Sequence, residues 1–100
     1  MVAKVALHSI KMEIDYTVQI WREGRQYIAH AMPLDVASCG ETPEAARMAL
    51  NEAVRLFVAS AEELGTLDEV LDEAGYKRQD SRWQAPEWVC FEHQSALVMP

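Results

Sequence analysis

The stretch from Thr42 to Gly65 constrains this chain more than any other. Thr42 has the side chain of a good helix N-cap, Pro43 suits the first helical position, and Glu44 suits the positive end of a helix dipole. Ala46, Leu50, Ala53, Val54, Phe57, Ala61 and Leu64 then recur at helical spacing and form one apolar stripe. Gly65 supplies a stop. A helix of this length runs about 33 Å. Its stripe needs an apolar surface of similar length, which in a 100-residue chain means a sheet. Thr66-Leu67-Asp68-Glu69 reads as a capping box that starts a second, shorter helix. Leu67, Val70, Leu71 and Ala74 form its apolar side, and Gly75 ends it.

The segments around these helices carry strand signals. From Glu13 to Trp21 the residues alternate, with Ile14, Tyr16, Val18 and Ile20 on one face and Glu13, Asp15, Thr17 and Gln19 on the other. Arg22-Glu23-Gly24-Arg25 supplies a turn, Gln26–Met32 the returning strand, Pro33-Leu34-Asp35 a break, and Val36–Gly40 a third strand. Tyr76–Ala85 is polar and reads as a loop. Glu87–His93 is β-prone through Trp88, Val89 and Phe91, and Ala96–Pro100 extends it. The predicted class is therefore α+β, in the order β-β-β-α-α-β. It is a mostly antiparallel sheet with a long helix and a short helix packed on one face, and its other face is free for solvent or a partner. The expected single domain covers residues 12–100. Residues 1–11 read as a lead-in, poorly ordered or forming an extra edge strand, and Met12 is a second candidate start.

Composition and motifs remove several function classes. Charges interrupt every apolar stretch, so no membrane span or signal peptide is expected. Cys39 and Cys90 fall in predicted strands, form no CxxC pair, and read as small buried hydrophobes of a reducing, cytoplasmic protein. The net charge of −7 lies wholly in residues 41–74, which hold nine acids against two bases, Arg47 and Arg55. This opposes binding to DNA or RNA phosphates and suits a basic partner. His8, His30 and His93 match no metal motif, Glu13 and Asp15 alone make a poor cation site, and no cofactor is expected. Ser38 and Cys39 lack a recognisable base, and the four glycines form no phosphate loop, so no catalytic residues are assigned. Lys77, Arg78 and Arg82 with Tyr76 and Trp83 form a basic and aromatic cluster, better explained by cations following a helix end than by RNA stacking. Trp21 falls on the polar side of its strand, where it either packs over the sheet or serves as an interface anchor. The candidate partner-binding residues are Trp21 and the acidic Glu44 and Glu52.

One ordered set of motifs resembles a known family. Tyr16-Thr17-Val18-Gln19-Ile20, Tyr27-Ile28-Ala29, Pro33-Leu34 and Ser38-Cys39-Gly40-Glu41-Thr42-Pro43-Glu44-Ala45-Ala46 look like the HicB antitoxins. The resemblance spans residues 12–64, with 87–98 agreeing in position. Its most specific part is the Gly-acid-Thr junction between strand and helix. The stretch Pro33-Leu34-Asp35-Val36 departs from the family in lacking a glycine, and the C-terminal DNA-binding segment of many members has no counterpart. The resemblance implies a degraded RNase H-like fold without catalytic residues and assembly into a homodimer or higher homo-oligomer. It also implies a small basic partner, the HicA-type mRNA-cleaving toxin, neutralised by covering its active site. A stand-alone HicB-like interaction or regulatory domain without a toxin is the other reading. Direct DNA binding is not expected.

Overall fold

A computed structural model describes residues 12–100 of the chain. The expectations for residues 1–11 lie outside the described residues. The long helix forms as α1 (Pro43–Leu64). Thr42 is extended, and its Oγ1 accepts a hydrogen bond from the Ala45 N–H at 3.0 Å. At the other end Gly65 takes φ 75°. Its N–H reaches the Glu62 carbonyl and the Thr66 N–H reaches the Ala61 carbonyl, which together close a Schellman motif. Ala46, Leu50, Val54 and Ala61 are buried, while Phe57 and Val58 pack at the margin of the core. Leu64, expected on the same stripe, is 77% exposed, because the buried surface ends beneath Ala61, one turn before the helix does.

The short helix α2 (Leu67–Glu73) follows and buries Leu71 completely. The expected capping box does not form. Thr66 has ψ near 1° rather than an extended backbone, and its hydroxyl donates back to the Ala61 carbonyl at 3.4 Å. The Schellman turn fixes the Thr66 backbone first, so this threonine serves the end of α1 instead of the start of α2.

Strands β2 (Thr17–Glu23), β3 (Gln26–Met32) and β4 (Val36–Gly40) form an antiparallel sheet in the order β2-β3-β4. Its pairing places Ile20, Ala29 and Ser38 on one face and Trp21, Ile28 and Cys39 on the other. Helix α1 packs on the first face, where Ala29 and Ala31 are fully buried. The α+β class, with helices after three antiparallel strands, is as expected.

Four local expectations are corrected. The alternating segment 13–21 is not one strand. It divides into β1 (Glu13–Ile14) and β2, with Asp15 and Tyr16 between them. Ile14, Tyr16 and Ile20 still pack against one core, so the alternation survives while the pairing partner changes. Residues 76–85 are not a loop. They contain the hairpin β5 (Lys77–Gln79) and β6 (Arg82–Gln84), turned through Asp80 at φ 53°. This hairpin joins β1 in a second sheet, order β1-β6-β5, in which β1 runs parallel to β6. Residues 87–93 form no strand. Ladder partners, not β propensity, decide that outcome, and β1 has taken the edge of β6. Cys39 and Cys90 are both free and exposed rather than buried. The first faces away from α1, and the second lies in the unpaired segment.

Tyr76 and Trp83 join the buried residues of α1 and α2 in one core. The Tyr76 hydroxyl donates to the Asp15 carbonyl at 2.5 Å. Burial first, and then the negative Asp15, push its pKa up to about 12. The protonated phenol is therefore favoured in the folded state. Its contribution, about 1–2 kcal/mol once solvent screening is discounted, is intact below the unfolded value near 10 and is lost as pH rises towards 12. Tyr76→Phe is expected to cost about 1 kcal/mol at neutral pH and to flatten the loss of stability between those two values. Urea midpoints measured along an alkaline pH series check this.

Gly40 explains the strand-to-helix junction. A Cβ there would lie 2.6 Å from the Ala46 nitrogen and 2.7 Å from the Ala45 carbonyl carbon. Both are backbone atoms of the first turn of α1, and neither can move independently. Gly40→Ala should destabilise the protein by about 1–3 kcal/mol or more, read as a fall in the urea midpoint. Gly24, which has open space around its Cβ position, serves as the comparison site for backbone strain alone.

Candidate protein-interaction surfaces

The acids of the helical half separate into two groups. Glu44 pairs with Arg47 and Glu52 approaches Arg55 at 3.7 Å, each three residues along α1. Glu62, Glu63, Asp68, Glu69, Asp72 and Glu73 are exposed, and none is in an ion pair among the described residues. Glu62 and Glu63 occupy the last turn of α1, where no base offsets the negative end of the dipole. Negative potential therefore concentrates where α1 gives way to α2.

A cleft of about 320 Å³ opens at the same place. Met12, Ile14, Val58, Leu67 and Trp83 line it with apolar surface, and Glu62 and Asp68 supply its carboxylates. Arg78 also borders it, with its guanidinium 5.8 Å from the centre of the Trp83 ring. An apolar floor beside two carboxylates suits a long cationic side chain, which packs its methylene stem and presents its charge to the rim. Sequence reasoning singled out the acids of residues 41–74 but not this cleft. Its floor comes from Ile14, Val58 and Trp83, which meet only in the fold.

The three partner-binding candidates named from the sequence do not share one surface. Trp21 lies on the sheet face turned away from α1, is 41% exposed, and stands edge-on to His30 with ring centres 6.1 Å apart. Glu44 and Glu52 are on α1, on the other side of the sheet, and both are occupied by arginines. His30 Nε2 lies 2.7 Å from Asp35 Oδ1, which ties the left-handed Asp35 of the turn after β3 back to the sheet. A groove of about 430 Å³ between β2 and α1, lined by Val18, Met48 and Leu50 among others, adds apolar surface at the sheet edge.

The alternative chemistries gain no support. Glu13 and Asp15 converge on a cation supplied by the chain itself. Arg82 Nη2 donates to Glu13 at 2.8 Å and its Nε lies 3.9 Å from Asp15. The Glu13 hydrogen bond and then the Asp15 charge push the Arg82 guanidinium above its already high range. No group of three or more His, Cys, Asp or Glu side chains suited to a metal occurs among the described residues. In the basic and aromatic cluster, Tyr76 and Trp83 are buried and Arg82 is engaged by carboxylates, which leaves no open platform for base stacking. Among the described residues no helix is long and apolar enough to cross a membrane.

Compared with known proteins, the chain matches no protein-family model, no curated protein and no solved structure.

Acids at the negative end of a helix dipole with no base beside them are expected to cost stability in the free protein. Glu62→Gln is expected to stabilise it by a few tenths of a kcal/mol, read as a rise in the urea midpoint. That gain should shrink as sodium chloride is raised, because salt screens exposed charges. A gain that does not depend on salt would point to helix propensity instead.

Proposed function

We propose that this chain is a cytoplasmic, non-catalytic protein-binding domain of the antitoxin kind. It neutralises a small basic HicA-type mRNA-cleaving toxin by covering the toxin's active site. The observation that carries this reading is the acid-rimmed apolar cleft at the junction of α1 and α2. A ribonuclease binds its substrate through Lys and Arg placed against phosphates. A protein surface that offers carboxylates above an apolar floor competes for those same side chains. Glu62 and Asp68 are in no ion pair among the described residues, so a basic partner meets an unsatisfied surface and is steered towards it. The ordered HicB-like motifs of residues 12–64 support the same partner.

The second reading is a stand-alone HicB-like interaction or regulatory domain without a toxin. The turn at Pro33–Val36 favours it, since this is where the chain departs from the family. Here it forms a tight reversal held by Asp35 and His30.

Co-expression with a small basic ribonuclease from the adjacent reading frame separates the two. The antitoxin reading expects relief of growth arrest and a complex that survives purification. It also expects Glu62→Lys with Asp68→Lys to weaken that complex at least tenfold by calorimetry, with the far-UV spectrum unchanged. Persistent growth arrest with no complex would leave the stand-alone reading. A complex insensitive to both charge reversals would remove the cleft from the interface.

A further inference from the structure

From Pro86 onward every residue is exposed, although the segment carries Trp88, Val89, Phe91, Leu97, Val98 and Met99. Val89 is 94% and Leu97 89% exposed. A run of large apolar side chains of this length marks an interaction surface. The face of the β2–β3–β4 sheet turned away from α1 is in the complementary state. It presents Trp21, Ile28, Ala37 and Cys39, and no element packs over it among the described residues.

We propose that segment 86–100 of one copy of this chain lies across this open face of a second copy, and that the exchange is reciprocal. The segment starts at the margin of the face. Trp88 Nε1 donates to Thr17 Oγ1 at 2.8 Å, and the Phe91 ring stacks against Trp88 at 5.1 Å. Its reach then exceeds the face on which it begins. From Trp88 to Met99 an extended chain covers about 36 Å, whereas β2 is roughly 20 Å long. The radius of gyration is 17.1 Å, against about 13 Å expected for 100 compact residues, and the longest extent is 67 Å. An outline this extended is not that of a chain folded back onto its own body.

Area and charge both fit a second copy. Six large apolar side chains at on the order of 100 Å² each give about 1,200 Å² over two segments, before the sheet face is counted. That meets the lower bound for a stable interface. A two-fold pairing through the open faces also keeps the acids of α1 on the outer sides of both sheets, so like charges stay apart. The interface uses none of the cleft carboxylates, so it stands apart from the proposed toxin contact and the two fail independently.

The two cysteines supply the test, since Cys39 lies on the face and Cys90 in the segment, both free and exposed. Light scattering of the intact chain at micromolar concentration should give twice the chain mass. Mild oxidation of a mixture of Cys39→Ser and Cys90→Ser chains should give a covalent heterodimer joined through Cys90 of one chain and Cys39 of the other. Trp21→Glu and Phe91→Glu alter exposed side chains, and each should return the mass to that of one chain with the circular dichroism spectrum unchanged. A wild-type monomer overturns the proposal. So does a Cys39–Cys90 link confined to a single chain, which would show the segment folded onto its own sheet. A dimer unaffected by both substitutions also overturns it.

Discussion

The close contact between the first turn of α1 and the end of β4 is the constraint on which the rest of the structure depends. At Gly40 the strand backbone runs so near the nitrogen of Ala46 that no side chain fits between them. The same economy of size continues under the helix, where Ala29, Ala31 and Ala46 have no exposed surface. Small residues on both sides let a long helix lie low across three strands. Leu50 and Val54 then fill the space that the alanines leave. The N-cap at Thr42 and the Schellman turn at Gly65 fix both ends of α1, so the direction of the chain leaving the helix is set as firmly as its start.

That exit direction decides what the second half of the molecule does. The turn at Gly65 delivers α2 with Leu71 into the core, and the chain returns through the β5–β6 hairpin beside β1. Tyr76 and Trp83 seal this end, and the Tyr76 hydroxyl holds the Asp15 backbone where the first segment leaves one sheet for the other. The acid-rimmed cleft is a product of this closure. Its floor needs residues from β1, α1 and β6, and its carboxylates stand at the poorly compensated end of α1.

Much of the fold is legible in the sequence, and little of the surfaces. The alternation of residues 13–21, the turn at Gly24 and the capping of α1 are local signals, carried by residues close together in the chain. They place the elements within a few positions. The β5–β6 hairpin is hidden because each strand is three residues long and only Trp83 points inwards, too short a pattern to show a period of two. Segment 87–93 misleads for the opposite reason. Trp88, Val89 and Phe91 have strong β propensity, but a strand needs a neighbour, and none pairs with it among the described residues. Trp21 stands on the polar side of its strand, as the alternation requires. What no local pattern shows is that the sheet separates Trp21 from Glu44 and Glu52, or that arginines pair with both acids.

By itself the sequence determined the class and the order of most elements, because periodicity, caps and turn residues act over a few neighbouring positions. It also determined where the charge would sit, since nine of the acids lie in one continuous third of the chain. The tertiary structure alone decided which apolar groups would floor a cleft beside those acids, and which apolar segment would go uncovered. The acid pairing is local, since Glu44–Arg47 and Glu52–Arg55 are three residues apart on α1, whereas the cleft and the uncovered segment depend on contacts between residues tens of positions apart, set by how α1 seats on the sheet.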